Sequence, residues 1–272
     1  MVLAMLGFAI EDSLIRIISS VIPFGQVLSL FGLGGALIFA LLCKLKKQQL
    51  FLAEVISRPM VLRMFFELIG RLFYSVSLIL MPISLVTLVL QATPIFVVTG
   101  AAFLFKEAVG VLRWIAILSG LLGVVFIIQP TSESFSPYVI FAILGMLGFA
   151  GRDLGSRAAS PIISDNHLGF YGFVAVTVAG LIYSGWAGAA YVPLSIGTLV
   201  YILSLIFVGC FSYFALMKAM RIGDVSFVTP FGYTRILFGE AVTIWLIIGS
   251  LIIIGSGLFL LGPPTQNKNL HG

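Results

Sequence analysis

The chain has 272 residues, of which 60% are hydrophobic and 9% are charged, and its mean hydropathy is +1.19. Soluble domains carry about 25% charged residues, so this composition excludes an ordinary soluble domain and predicts an all-α integral membrane protein. The formal net charge is +5, but no basic patch is interleaved with polar aromatic residues. We therefore expect membrane lipid and a small-molecule solute as partners, and no nucleic acid.

A membrane-spanning helix needs about 20 mostly apolar residues. Proline, glycine and charged residues divide the chain into ten such segments, with a polar and basic loop at 44–58 after the second. The predicted spans are 2–20, 24–43, 60–80, 84–105, 111–129, 137–157, 168–188, 196–217, 225–239 and 242–262. The N-terminus lacks the basic start of a signal peptide, so we interpret its apolar run as the first span.

Lysine and arginine follow the even-numbered spans, whereas the odd-numbered connections contain neither. By the positive-inside rule, this pattern predicts a multi-pass protein of the cytoplasmic (inner) membrane with both termini and the 44–58 loop in the cytoplasm. The residues that carry the pattern are Lys44, Lys46, Lys47, Arg58, Lys106, Arg113, Arg152, Arg157, Lys218, Arg221 and Lys268.

The two halves of the chain share short sequences. Residues 104–109 read LFKEAV and residues 237–242 read LFGEAV, and each is preceded by a Thr-Pro pair, at 93–94 and at 229–230. Because each half has five spans, the second half must lie upside down relative to the first. Inverted repeats are typical of secondary transporters, which bind solute at the repeat interface. The predicted repeats are 1–130 and 131–265.

Three charges interrupt the third span: Arg63, Glu67 and Arg71. Their i, i+4, i+8 spacing places them on one helical face. A charge at the bilayer centre costs roughly 2.5–3.5 kcal/mol, so this face lines a polar cavity or is buried against other helices. One interpretation is that the three neutralise one another as a ladder, and another is that Arg63 snorkels at the cytoplasmic end. One acid cannot satisfy two guanidinium groups, so another partner is required: an acid of the first span, water or a solute carboxylate.

Glu11 and Asp12 are the acids of the first span. Asp12 and Arg16 are spaced i, i+4 and can form a structural pair. Glu11 points about 100° away and can face a cavity or bind a proton. Glu11, Asp12 and Glu67 are therefore the candidates for proton coupling, and Arg71 or Arg235 is the candidate for holding an anionic group.

Pro94 and Pro230 lie inside spans at matching places in the two repeats, where a proline bends the helix and frees a carbonyl for gating or binding, or is merely tolerated. The polar residues that flank them form the expected cavity lining: Gln91, Thr93, Tyr233 and Arg235.

Other polar groups are interpreted as structural. Arg152, Asp153 and Arg157 close the sixth span and are expected to anchor it at the inner face. Cys43 and Cys210 lie in apolar runs without metal-ligand spacing, so we predict no metal and no cofactor. The sequence shows no nucleophile–base pair at membrane depth, which argues against an enzyme.

Along nearly its whole length, the chain resembles the ten-helix drug/metabolite transporter superfamily, in particular proteins with two EamA domains. The resemblance is carried by Arg63 and Glu67 and by segments such as VIPFGQVLSLFGLGGALIFAL, LQATPIFVVTGAAFLFKEAVGVLRWIAILSGLLGVVFIIQP, FAGRDLGSR and AMRIGDVSFVTPFGYTR. It implies two inverted five-helix repeats around a central cavity. It also implies a secondary transporter that moves a small metabolite, amino-acid-like or another small polar or amphipathic solute, by alternating access.

The chain departs from that pattern in two places. Gly232 replaces an arginine usual in such proteins, and the segment from Ile222 to Glu240 is six residues shorter than its counterpart from Ile83 to Glu107. Both departures favour an alternative, in which the protein is a degenerate, non-transporting membrane partner. Apart from these, Arg71 stands where such proteins usually carry a small or uncharged residue.

Overall fold

A computed structural model describes residues 2–81, 83–107, 109–128 and 137–222, together with residues 248, 251 and 252. All regular structure in these ranges is helical. The helices are α1 (Val2–Ser19), α2 (Phe24–Leu45), α3 (Arg58–Leu80), α4 (Ile83–Leu90), α5 (Thr93–Leu104), α6 (Val111–Ile128), α7 (Val139–Ala158), α8 (Asp165–Ala187) and α9 (Ile196–Ile222), with a short 3-10 turn at Ala53–Ile56.

Each of the first eight predicted spans contains a helix at the expected place. The fourth predicted span is not one continuous helix, because it consists of α4 and α5 with a break at residues 91–92. The ninth and tenth predicted spans, and with them Pro230, Tyr233 and Arg235, lie outside the described residues.

Local sequence explains several helix ends. Proline stands immediately before α2 at Pro23 and in the first turn of α5 at Pro94, where a missing N–H costs no helical hydrogen bond. At the start of α8, Ser164 and His167 form a reciprocal capping box. Gly188 ends the same helix with φ +63°, a conformation that favours glycine.

The helices pack in long pairs: α2 on α8, α3 on α7, and α1 on α9. Smaller contacts join α3 to α8 and α2 to α9, while α4 and α5 both pack on α7. Glycine allows the closest approaches. A Cβ on Gly145 would come within 2.9 Å of the backbone nitrogen of Tyr74, so α3 and α7 meet backbone to backbone.

The outer surface of the bundle is apolar. Leu37, Leu41 and Phe207 expose 63%, 55% and 69% of their surface, which is unfavourable in water and favourable against lipid. Among the described helices, α2, α7, α8 and α9 are long and apolar enough to cross a bilayer. The chain is therefore a multi-pass helical membrane protein.

Candidate functional site

The charged face of α3 points into the protein. Arg63 and Glu67 are fully buried and Arg71 exposes only 7% of its surface. This placement fits the expectation from their spacing that the three charges face away from lipid. Their partners come from four other helices, α1, α7, α8 and α9.

Arg63 is a hub that joins α3 to three helices. Its Nε donates to Ser156 Oγ on α7 at 2.9 Å, and its Nη2 donates to the Leu168 carbonyl on α8 at 2.8 Å. Nη2 also donates to the hydroxyl of Tyr213 on α9 at 2.5 Å. Arg63 therefore does not snorkel to the cytoplasmic surface, because its guanidinium finds enough acceptors inside the protein.

Glu67 lies at the centre of the site. The hydroxyl of Tyr213 donates to Glu67 Oε2, and Arg63 Nη2 lies 3.9 Å from the same oxygen. On the other side, Arg152 Nη1 lies 3.6 Å from Oε1. The carboxylate is thus held between two cations, one on its own helix and one on α7.

Arg152 and Asp153 belong to this interior rather than to a surface anchor. They expose 8% and 6% of their surface, and Arg152 Nη2 lies 2.8 Å from Asp153 Oδ1. Arg157, one and a half turns further on, instead donates to the Arg221 carbonyl at 2.9 Å. The expectation that all three residues anchor α7 is therefore wrong for Arg152 and Asp153, because Arg152 turns towards Glu67 and Asp153 pairs with Arg152 in the interior.

Arg71 pairs with the first helix. Its Nη1 lies 3.7 Å from Glu11 Oε1, and Glu11 is 3% exposed. The Phe149 ring lies beside two of the arginines. Its centre is 5.8 Å from the guanidinium carbon of Arg71 and 4.9 Å from that of Arg152. Glu11 is one of the partners that the sequence suggested for the second arginine. Asp12, next to it, is half-buried.

The site is balanced in charge. Three arginines, at 63, 71 and 152, stand against three carboxylates, at 11, 67 and 153. In a medium of low dielectric, such balance is needed to keep the burial cost tolerable. Within these six side chains, three buried atoms have no hydrogen-bond partner among the described residues: Arg63 Nη1, Glu67 Oε1 and Arg71 Nε.

The break between α4 and α5 carries the other candidates that can be placed. Gln91 is 6% exposed, and its Nε2 has no hydrogen-bond partner in the part of the chain that is described. Thr93 turns its hydroxyl to the Leu90 carbonyl, and Pro94 is buried in the first turn of α5. Thr93 is therefore engaged with its own backbone, whereas Gln91 offers a buried donor.

Two members of the site, Tyr213 and Ser156, were not predicted from the sequence. Tyr213 stands in a long apolar helix, and only its position opposite Glu67 distinguishes it from a lipid-facing tyrosine such as Tyr201. Ser156 lies four residues after Arg152 on α7, so it shares the face of the buried charges. That spacing was the one signal available for it.

No family model matches the chain. The chain is similar to membrane transporters. It is 25% identical over 220 residues to the S-adenosylmethionine uptake transporter of Rickettsia prowazekii (strain Madrid E), covering 75% of this chain and 72% of the relative. It is 26% identical over 185 residues to the riboflavin transporter of Vibrio cholerae serotype O1, covering 63% and 60% of the two proteins.

A solved crystal structure has the same fold. It superposes with a TM-score of 0.80 at 18% sequence identity and covers 94% of this chain and 93% of its own. The curated relatives are named as transporters of small metabolites and not as enzymes. Together these likenesses support a membrane transporter for a small metabolite and a protein that is not an enzyme.

The described residues also contain no group of three or more His, Cys, Asp or Glu side chains that could hold a metal ion. Cys43 and Cys210 are both buried as free thiols.

Proposed function

We propose that this protein is a secondary transporter that moves a small metabolite across the cytoplasmic membrane by alternating access. The solute is amino-acid-like or another small polar or amphipathic molecule. The observation that carries the proposal is the buried, charge-balanced network that joins α1 and α3 of the first half to α7, α8 and α9 of the second. Buried ionisable groups inside a membrane bundle are typical of solute and ion pathways.

The helix pairing supports two inverted five-helix repeats. Exchange of each span with the span five places away converts the α3–α7 pair into α1–α9, and converts α3–α8 into α2–α9. The same exchange maps α2–α8 onto itself. This correspondence favours repeats at 1–130 and 131–265, with both termini in the cytoplasm as the positive-inside pattern predicts.

Roles for the charged residues follow from their contacts. Glu67 faces Arg63 and Arg152 at more than 3.5 Å, so a proton or a cationic group of the solute can compete for its carboxylate, and Glu11, buried beside Arg71, is the second candidate acid. Arg71 is the candidate for an anionic group, since its Nε has no hydrogen-bond partner in the described structure. Asp12 is an alternative coupling acid beside Glu11.

The polar break of the fourth span completes the proposed lining. Gln91 supplies a buried donor next to Thr93 and Pro94, and the interrupted helix there can bend during the cycle. In the second repeat, the corresponding lining is proposed to come from Pro230, Tyr233 and Arg235. This assignment rests on the sequence repeat alone.

The test is uptake by the purified protein in proteoliposomes. S-adenosylmethionine and riboflavin, which the relatives' names supply, are the first radiolabelled probes, followed by a panel of amino acids. Glu67→Gln should abolish uptake or uncouple it from a proton gradient, while Glu54→Gln, a half-buried loop position outside the site, should leave it unchanged. Unchanged gradient-driven uptake in Glu67→Gln would remove this acid from the mechanism.

The degenerate, non-transporting membrane partner is the second candidate. Gly232 and the six missing residues between Ile222 and Glu240 favour it, because both fall where the second repeat should complete the cavity. Absence of flux for the whole panel, in protein that is folded and monodisperse, would support this alternative over transport.

A further inference from the structure

Tyr213 stands between a buried cation and a buried anion. Its hydroxyl accepts a hydrogen bond from Arg63 Nη2 at 2.5 Å and donates one to Glu67 Oε2. The tyrosine is 2% exposed and lies on α9, whereas both partners lie on α3. One hydroxyl therefore joins the charged face of the first half to a helix of the second.

The hydroxyl is the one hydrogen-bond donor that the described residues direct at the Glu67 carboxylate. Arg63 and Arg152 approach it at 3.9 Å and 3.6 Å, beyond hydrogen-bond distance. A hydrogen bond to a charged acceptor has a defined direction, while two ion pairs at such distances leave a carboxylate free to rotate. Tyr213 thus fixes the orientation of Glu67.

Helix α8 in turn fixes the tyrosine. A Cβ on Gly172 would meet the Tyr213 hydroxyl oxygen, so the small residue makes room for that oxygen. The Phe173 ring lies 5.3 Å from the Tyr213 ring, which packs the ring in place.

We propose that Tyr213 is a positioning residue for Glu67, through which the second half of the chain sets the orientation of the acid. This inference rests on the proposed transport function, because it assigns Glu67 a role in the cycle.

A double-mutant cycle tests it. Tyr213→Phe removes the hydroxyl and keeps the ring, and we expect S-adenosylmethionine or riboflavin uptake to fall roughly tenfold or more, as loss of a charge-assisted hydrogen bond predicts. In a Glu67→Gln background the same change should have little further effect on the melting temperature. Tyr201→Phe, on the exposed side of α9, is the matched control.

A second variant keeps the hydroxyl and moves it. Gly172→Ala should reproduce the uptake defect of Tyr213→Phe, and the two changes together should be no worse than either alone. Additive effects of Tyr213→Phe and Glu67→Gln on the melting temperature would overturn the proposal. If the unaltered protein moves neither probe, the proposed function fails for these solutes, and the melting-temperature cycle still decides whether Tyr213 acts on Glu67.

A second inference rests on different residues, at the two ends of the α2–α8 pair. At one end, Gln48 and Gln49 of the loop after α2 bind the start of α8. Asn166 Nδ2 donates to Gln48 Oε1 at 3.0 Å, and His167 Nε2 lies 2.8 Å from the Gln49 carbonyl oxygen. We call this set the inner clasp.

At the other end, the loop after α8 binds the start of α2. Gln26 Nε2 donates to the Val192 carbonyl at 2.7 Å, and Val192 N–H donates to Gln26 Oε1 at 2.9 Å. Ser29 Oγ and the Tyr191 hydroxyl are 2.7 Å apart. We call this set the outer clasp.

The two clasps are equivalent under exchange of the repeats. Gln26 is the third residue of α2 and His167 is the third residue of α8, and each binds the backbone of the loop that follows the partner helix. Both clasps are closed in the same conformation. Between them, α2 and α8 touch closely, since a Cβ on Gly32 would run into the Thr177 backbone nitrogen.

The α3–α7 and α1–α9 interfaces also correspond to each other under exchange of the repeats, but their helices do not approach equally closely. In α3–α7, a Cβ on Gly145 would lie 2.9 Å from backbone, at the Tyr74 nitrogen. In α1–α9, a Cβ on Gly7 would first meet the Ser212 side chain, with the Ser212 backbone at 3.6 Å. In alternating access, inverted repeats exchange conformations. The close packing of α3–α7 and the looser packing of α1–α9 should therefore be exchanged during the cycle. The α2–α8 interface corresponds to itself and should stay unchanged.

We infer that α2 and α8 form a fixed axis locked by both clasps, and that α3–α7 and α1–α9 open in turn around it. This inference also rests on the proposed transport function and its inverted repeats.

Reversible cross-linking tests the axis in full-length protein whose two native cysteines are replaced by serine. The inner clasp is cross-linked through Gln48→Cys with Asn166→Cys, and the outer through Gln26→Cys with Val192→Cys, by a short reducible reagent. We expect uptake of the probes to stay within about twofold of the reduced protein. Loss of uptake that returns on reduction would show that a clasp must open, and would overturn the inference.

The matched pair lies on the interface expected to move. Phe73 and Phe141 stack across α3–α7 with ring centres 6.0 Å apart, so Phe73→Cys with Phe141→Cys should cross-link and block uptake. If the reduced proteins transport nothing, spin labels at the same positions replace flux. A single distance between the spin labels at each clasp, together with two distance populations between positions 73 and 141, would support the axis. Two distance populations at either clasp would refute it.

Discussion

Arg152 and Arg157 stand five residues apart at the end of α7. Replacement of each by glutamine distinguishes an arginine of the buried network from one that anchors the helix end. Arg152 faces Asp153 at 2.8 Å and Glu67 at 3.6 Å, with its side chain 10% exposed. Arg157 is half-buried and donates to a neutral carbonyl, that of Arg221. The sequence made these two arginines look alike, but their partners predict different consequences.

The size of the difference follows from the contacts. At an effective dielectric constant near 20, each of the two ion pairs of Arg152 is worth about 4–6 kcal/mol before desolvation. Removal of one partner from a buried pair costs about 3–5 kcal/mol, because the remaining charge stays buried. The hydrogen bond of the half-buried Arg157 guanidinium to a neutral carbonyl is charge-assisted and contributes about 1.5–3 kcal/mol before solvent screening. We therefore expect Arg152→Gln to lower the melting temperature by about 10 °C and Arg157→Gln by a few degrees.

The assay is thermal unfolding of the detergent-solubilised proteins, followed by tryptophan fluorescence. The variant Arg152→Gln leaves the network with two arginines and three carboxylates, so Arg152→Gln with Asp153→Asn should recover part of the loss by restoring the balance. Equal shifts for the two single variants would refute the buried network. No recovery in the double variant would refute charge balance as its reason.

Two further predictions concern packing. Gly148→Val should prevent stable folding, because a side chain there would run into the Gly70 backbone. Gly185→Ala, with open space around it, should be neutral or raise stability by about 0.5–1 kcal/mol. Expression level and melting temperature distinguish the two variants. Cys43 and Cys210 are buried, so both thiols should resist a maleimide reagent in native protein and react after unfolding in detergent; rapid labelling of the native protein would contradict their placement.

Sequence periodicity was sufficient to predict where the charged face of α3 points. The i, i+4, i+8 spacing of Arg63, Glu67 and Arg71 fixes a common side of any helix, and the bilayer leaves that side only the interior. The break in the fourth span has a signal too, in the proline at 94. The helix positions of the first eight spans follow from hydropathy and punctuation in the same way.

The partners of that face could not be predicted, because spacing along one helix says nothing about which helices meet. Tyr213 becomes a site residue only when α9 packs beside α3, and Arg152 only when α7 turns it away from the membrane surface. The positive-inside pattern misassigned Arg152 for a physical reason. An arginine near a helix end can reach either the aqueous phase or the interior, and neighbouring acids decide which.

The distances within the network divide its members by what each can do. Arg152 and Asp153, at 2.8 Å, form a close charge-assisted pair that no solute group displaces without leaving a buried charge behind. The ion pairs of Glu67 with Arg63 and Arg152 are longer, 3.9 Å and 3.6 Å, and are beyond hydrogen-bond distance. A proton or a charged solute group gains most where an existing pair is loosest. The same geometry that makes Arg152–Asp153 a structural element therefore favours Glu67 as the acid that changes partners in the proposed transport cycle.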